Sequence, residues 1–311
     1  MIHFPKKDIL LFLCIFVVIG AFFIVRSINN QNTSLDFIEQ QGVTPMVVGT
    51  SAPFLKDMIA RIGGFRVSVI AVSGPDDELL QKTQQPFPIF FALGAGNDDW
   101  VKDMQSKFPD MRVLWLNKIA GASNTFDDAL VVTTQSKTEN EESKKIVPRY
   151  FWLSFSIGQK MIQETVRQLG LVDAVGKELY LNNAYEYAIE VATMQKDLLK
   201  DLASYTGEKV ALQSTSYNDL AADLQLSVAA LFDVPSTQDA EIFSQDIVGV
   251  LKKKRIFSVI AGEEFPQSVA DVITRQTATN VAILSPFGTL GYTKYIDILR
   301  YNASQILKVF R

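Results

Sequence analysis

Apolar positions along the chain fall into two rhythms. Short β-branched runs occur at 46–49, 67–72, 89–93 and 113–116, with a further one at 130–132. Each is long enough for a strand buried on both faces. Between them the spacing predicts a helix over 53–62, closed by Gly63 and Gly64, the residues expected just past a helix C-terminus. From 157 to 169, Ile157, Met161, Thr165 and Leu169 recur every four residues. From 181 to 205, Leu181, Ala184, Ala188, Val191, Leu198, Leu202 and Tyr205 line one predicted helical face. Strand-like runs then return at 209–212, 227–232, 255–260 and 281–284, with helical patterns at 216–224, 237–253, 266–277 and 294–309. Strands alternating with helices predict βαβ units and parallel sheets. The pattern therefore reads as two α/β lobes of similar size, joined by a long helical region.

The N-terminus follows neither rhythm. Residues 9–25 form a 17-residue run without charge. As a helix it would span about 26 Å, enough to cross a bilayer. Lys6 and Lys7 precede it and Arg26 follows, so the charge bias predicts a cytoplasmic N-terminus and an extracytoplasmic remainder. The competing reading is a cleaved signal peptide, but the run ends Phe22, Phe23, Ile24, Val25, Arg26 without an A-x-A-like site. Cys14 sits inside the run, where it reads as a small apolar residue. Residues 26–42 are polar and Asn/Gln-rich and read as a stalk.

Composition narrows the chemistry. The 311 residues are 48% hydrophobic and 21% charged, which excludes a disordered chain. The formal charge of −4 offers no electropositive nucleic-acid footprint. The sequence has one His, His3, and one Cys, Cys14. Everything after residue 14 therefore lacks Ser-His-Asp and Cys-His catalysis, His-ligated zinc and thiol redox chemistry. No nucleophile–base pair and no cofactor fingerprint stands out, so the chain reads as a binding protein rather than an enzyme.

Several local features have a structural and a chemical reading. Gly94-Ala95-Gly96 lacks the Lys-Ser/Thr of a phosphate loop and reads as a tight strand-to-helix turn. Asp98 and Asp99 beside it read as a helix cap rather than ligands. Asp76, Asp77 and Glu78 follow a strand and Pro75, and could be oxygen ligands for a hard cation or first-turn helix acids. Glu263 and Glu264 stand at the corresponding edge of the second lobe and read as a solvated loop. Lys252, Lys253, Lys254 and Arg255 close a helix before a strand, where cations complement the helix dipole. Tyr150, Phe151 and Trp152 read as packing at the lobe junction. Residues 135–147 are charged and aperiodic and read as a surface loop.

The order of these segments resembles the solute-binding proteins of zinc and manganese ABC importers. The resemblance covers residues 43–311. It rests on Gly49-Thr50-Ser51 leading to Ile62-Gly63-Gly64, on Gly94-Ala95-Gly96 followed by Trp100, and on Pro148-Arg149-Tyr150-Phe151-Trp152-Leu153. Asn183 with Tyr187, Thr215-Ser216-Tyr217-Asn218-Asp219, Leu284-Ser285-Pro286-Phe287-Gly288, and Tyr295 with Asn302 complete it. The resemblance implies two (β/α)4-type lobes joined by a long helix, a ligand cleft between them, and an ABC permease in the membrane as partner. With the N-terminal run, the expected organisation is a cytoplasmic N-terminus at 1–8, a transmembrane anchor at 9–25 and a stalk at 26–42. An N-terminal lobe at 43–147, a linking helical region at 148–205 and a C-terminal lobe at 206–311 follow.

The family holds its metal with His and carboxylate side chains, and this chain departs at those positions. By the resemblance the ligand-binding cleft residues are Asp77, Glu78, Arg149, Tyr217 and Ser285. Arg149 cannot lose its proton and cannot ligate a metal. Tyr217 and Ser285 would be weak neutral ligands. No metal ligand set and no cofactor is therefore expected, and zinc affinity should be micromolar or weaker. The cargo is expected to be an unusual metal or a small anionic solute. The alternative is a degenerate pseudo-binding protein that serves as a metal-free interaction or structural module. Arg149 is expected to stand in for the metal by pairing with Asp77 or Glu78, supported by Tyr217 or Ser285.

Overall fold

The computed structural model describes residues 44–78, 80, 87–120, 130–133, 149–233 and 240–310. The expected anchor, the stalk and the charged loop at 135–147 lie outside the described residues. Among the described residues, no helix is long and apolar enough to cross a membrane.

The first sheet is built from β1 (Met46–Thr50), β2 (Val67–Ala71), β3 (Ile89–Ala92) and β4 (Arg112–Trp115), in the order β2-β1-β3-β4. β3 runs parallel to both β1 and β4. All four residues of β3 are buried, as a central parallel strand requires. Helix α1 (Pro53–Gly63) starts with proline at its first turn and buries Phe54, Leu55, Met58, Ile59 and Ile62. It ends at Gly64, whose φ is 55°, a left-handed value that glycine adopts without a Cβ penalty. Helices α2 (Trp100–Lys107) and α3 (Asn117–Ala120) follow β3 and β4.

The second sheet has the order β5-β7-β6-β8-β9, all parallel. Its strands are β5 (Leu130–Thr133), β6 (Lys209–Leu212), β7 (Ser227–Asp233), β8 (Ser258–Gly262) and β9 (Asn280–Leu284). Here the structure corrects the sequence reading. By its place in the chain the run at 130–132 falls in the N-terminal lobe, yet β5 pairs with β7, Leu130 opposite Ala230. A parallel sheet with an open edge takes any β-branched run that reaches it, and sequence order does not decide which sheet that is. β8 is also shorter than predicted: residues 255–257 lead into it as a loop, with Arg255 at φ 55°.

Two long helices link the lobes. Helix α4 (Phe155–Val172) has Ser154 as its N-cap, whose side chain accepts from Ile157 N. The Asp223 carboxylate, at the end of α6 (Asn218–Asp223), takes hydrogen bonds from Ser154 Oγ at 2.6 Å and Ser156 N at 3.0 Å. An acid from the second lobe thus complements the positive end of the linking helix. Helix α5 (Lys177–Asp201) buries Tyr180, Ala184, Tyr187, Val191 and Leu198. The predicted face started at Leu181, which is instead exposed; the buried stripe runs through Tyr180 and Tyr187. The turn between the two helices is closed by Asp173, which accepts from Arg66 Nε at 2.6 Å, Arg66 Nη2 at 2.8 Å and Tyr180 Oη at 2.5 Å.

Helices α7 (Ala240–Lys254), α8 (Gln267–Gln276) and α9 (Tyr295–Phe310) complete the second lobe. The basic run ends α7, and Lys254 Nζ donates to the Ala229 carbonyl at 2.9 Å. An aromatic knot ties the lobes: Trp152 lies 5.4 Å from Phe54 of α1 and 5.3 Å from Phe287 beyond β9. Trp152 Nε1 donates to Pro286 O at 2.7 Å, and Tyr295 Oη donates to Trp152 O at 2.8 Å. Asn302 of α9 accepts from Ser285 N at 2.7 Å and donates to Ser285 O at 3.0 Å. Asn183 of α5 donates to Ile62 O at 3.1 Å, at the end of α1. The family-like residues Asn183, Trp152, Tyr295 and Asn302 are therefore scaffold.

Candidate functional site

The candidate residues stand on loops that leave the C-terminal ends of both sheets, the edge where open α/β sheets present ligand sites. In the first lobe this is the turn after β3. Gly94, Ala95 and Gly96 all have positive φ, at 75°, 53° and 81°. Asp98 is buried and does not cap a helix as expected. Its carboxylate accepts from Leu93 N at 2.6 Å, Gly94 N at 2.7 Å and the Ser51 hydroxyl. Three donors on one carboxylate fix the loop and so fix Asn97.

Asn97 meets Arg149. Arg149 Nε donates to Asn97 Oδ1 at 3.3 Å, and Asn97 Nδ2 donates to Arg149 O at 3.1 Å. On the other side, Arg149 N donates to Ser216 Oγ at 2.9 Å. Arg149 thus bridges the first lobe and the loop after β6. Its Cζ lies 5.7 Å from the Tyr150 ring centroid, within cation–π range.

The expected pairing of Arg149 with Asp77 or Glu78 does not form. Among the described residues, no carboxylate makes an ion pair with Arg149. The Asp77 carboxylate instead accepts from Ser73 N and Ser73 Oγ, both at 2.8 Å. A short acid two residues past a proline turn finds the nearest donors, those at the start of its own turn. Glu78 is exposed.

Tyr217 and Ser285 do meet the same face of the second lobe. Gln213 N donates to Ile260 O at 2.9 Å and its Oε1 accepts from Gly262 N at 2.7 Å, which pins the exit of β6 to the exit of β8. This sets Tyr217 against Gly262. A Cβ at Gly262 would collide with both the Tyr217 hydroxyl and the Glu264 carboxylate, so the two oxygens crowd one Cα. Phe265 N donates to Gly262 O at 2.9 Å, closing a turn whose two middle residues are Glu263 and Glu264. Ser285 is buried, and its hydroxyl donates to the Glu263 carboxylate.

Sequence reasoning set Glu263 and Glu264 aside as a solvated loop. They are exposed, yet each addresses a candidate site residue. The available signal was their position: consecutive acids just beyond a predicted strand, on the sheet edge that also carries Ser285.

The Tyr217 hydroxyl is fully buried and has no hydrogen-bond partner among the described residues. Burial pushes its phenol well above the usual range, and Glu264, Tyr150 and Glu263 push it further. It is therefore a neutral O–H at all physiological pH. Burial also raises Tyr150, with Glu264 adding to the rise and Arg149 opposing it. The Tyr150 ring packs 5.8 Å from Tyr217 and 6.0 Å from Phe287. The arrangement can hydrogen-bond a solute, present an aromatic wall and offer charges of both signs. Among the described residues, no three His, Cys, Asp or Glu side chains gather as a metal-binding group.

Comparison with curated protein sequences found no match. Solved structures resemble the fold across most of the chain. The SBP FpvC from Pseudomonas aeruginosa in complex with a Ni2+ ion is 18% identical, covering 86% of this chain and 97% of that one, with a TM-score of 0.63. A crystal structure of ZnuA is 15% identical over 86% of this chain and 99% of that one, with a TM-score of 0.61. A mutant of the laminin-binding adhesin Lmb from Streptococcus agalactiae is 16% identical over 86% of this chain and all 100% of that one, with a TM-score of 0.61. The family model described as ZnuA, zinc-uptake complex component A, periplasmic, matches residues 48–309. With its two parallel-sheet lobes and long linking helices, the chain belongs to this family of metal-type solute-binding proteins.

Proposed function

We propose that the chain is the extracytoplasmic solute-binding component of an ABC importer, anchored in the cell membrane through residues 9–25 with its N-terminus cytoplasmic. Residues 26–42 serve as stalk, and 43–147, 148–205 and 206–311 as N-terminal lobe, linking region and C-terminal lobe, with β5 lent to the second sheet. Its partner is the permease in that membrane. Cargo enters between the lobes, where Arg149, Tyr217 and Ser285 replace the family's metal ligands, with Asp77 and Glu78 at the rim. The observation that carries this reading is the family match over 48–309 together with polar side chains of both lobes meeting at Arg149.

The test is calorimetry on the full-length chain in detergent, with MnCl2, ZnCl2 and a panel of small organic solutes. Saturable binding of one equivalent of any of them supports a cargo protein. A second reading, a metal-free interaction module, is favoured by Arg149 standing where the family places a ligand. It takes over when no solute and no metal binds.

A further inference from the structure

The charges in the cleft point to a cargo class. Arg149 is exposed, and only its Nε is engaged, on Asn97. A guanidinium has five N–H donors, and no Nη hydrogen of Arg149 has a hydrogen-bond acceptor among the described residues. Glu264 and Glu263 act on the Tyr150 phenol in one direction and Arg149 in the other, so charges of both signs lie near that side chain. Glu263 is held by Ser285. Glu264 lies with the Tyr217 hydroxyl against Gly262.

A bare divalent cation would sit beside a guanidinium that keeps its proton, and like charges repel. A purely anionic solute would meet two carboxylates. A molecule carrying both charges satisfies both ends. The Tyr217 hydroxyl is an independent sign of a missing partner. It is fully buried, unbonded among the described residues, and packed with the Glu264 carboxylate against Gly262, and a buried hydroxyl without a partner costs stability.

We propose that this cleft takes a small zwitterion of the amino-acid class, its carboxylate on the Arg149 guanidinium and its ammonium shared by Glu264 and the Tyr217 oxygen. Tyr150 and Phe287 supply the apolar wall for the carbon skeleton. Tyr217 accepts from the ammonium and turns its own proton to Glu264, so every polar atom at that end gains a partner.

The inference rests on the reading of the cleft as a solute site, and one experiment separates the two. The full-length chain in detergent is titrated, in metal-free buffer, with glycine, L-glutamate, L-lysine and 4-aminobutyrate. N-acetylglycine, glycine methyl ester, MnCl2 and ZnCl2 serve as comparators. At least one zwitterion should bind, and blocking its amine or its carboxylate should weaken binding by about tenfold or more, the loss expected for one charge-assisted hydrogen bond. Tyr217→Phe should weaken zwitterion binding similarly while leaving the unfolding temperature of the ligand-free chain unchanged or higher, because it removes an unsatisfied buried group. A purely structural hydroxyl would behave in the opposite way. Glu264→Gln and Arg149→Met should each weaken the zwitterion.

Metal binding with no zwitterion binding overturns the inference and leaves the cargo reading standing. Binding of neither overturns both. Equal affinity for a zwitterion and its blocked derivatives also overturns the inference, whatever the metals do.

Discussion

Asn97 and Arg149 hold each other twice, Arg149 Nε to Asn97 Oδ1 at 3.3 Å and Asn97 Nδ2 to Arg149 O at 3.1 Å. The amide of Asn97 is thus both acceptor and donor in one contact between lobes. Asn97→Ala removes both bonds and should cost about 1 kcal/mol, whereas Arg149→Ala removes one exposed bond and should cost less. Urea midpoints at constant m-value measure both. A loss above about 3 kcal/mol for Arg149→Ala would restore the buried ion pair expected from the sequence.

The Arg66–Asp173 pair should appear in the acid limb of stability. Arg66, aided by Tyr180 and Gly176 N, holds the Asp173 carboxyl at about 2, below its ordinary 3.8, against the opposing effect of burial. A depressed folded value means the stabilisation is complete above pH 4 and fades as pH falls from about 4 to about 2. Asp173→Asn should lose about 2 kcal/mol at pH 7. Its stability should also vary less than that of the unaltered chain across that window, as measured by denaturant titrations at several pH values.

On the linking helix, burial decides which side chains matter. Val191 is fully buried and Leu181 is 51% exposed. Val191→Ala should cost about 1–3 kcal/mol and Leu181→Ala within about 0.5 kcal/mol. Thermal unfolding of the two variants checks the order. Equal losses would mean that the Leu181 face is covered in solution.

Trp152→Phe removes a hydrogen bond and side-chain volume together from the aromatic knot. It deletes the donor to Pro286 O, a buried carbonyl 2.7 Å away, and opens space beside Phe54. The expected loss is about 2–4 kcal/mol. A loss as small as that of Leu181→Ala would show that the knot adjusts freely.

The strands and the long helices were legible because a parallel sheet buries both faces and marks itself with unbroken β-branched runs. The phase of α5 was less so: Tyr180 and Tyr187 carry the buried stripe, and tyrosine hides among polar residues in a hydropathy pattern. The scaffold motifs around Trp152, Asn183 and Asn302 were legible by resemblance. The site was legible only in part. Of the expected cleft residues, Arg149, Tyr217 and Ser285 lie against the loops that hold Asn97, Glu264 and Glu263. Asp77 was drawn to Ser73 by a local turn, which no spacing argument could weigh against a distant guanidinium. Glu263 and Glu264 gained their roles from Ser285 and from Gly262, contacts that join residues far apart in sequence.

The placement of β5 has a consequence for how the chain reaches its final form. Leu130 lies opposite Ala230, 100 residues further on. During synthesis the edge strand must wait, unpaired, until β7 emerges. The second lobe cannot be completed from its own contiguous stretch of chain. A fragment beginning at Arg149 should therefore expose the edge of β7 and associate with itself or with a peptide covering 130–133. A gene segment carrying only the contiguous second lobe would therefore leave β7 as the edge of its sheet.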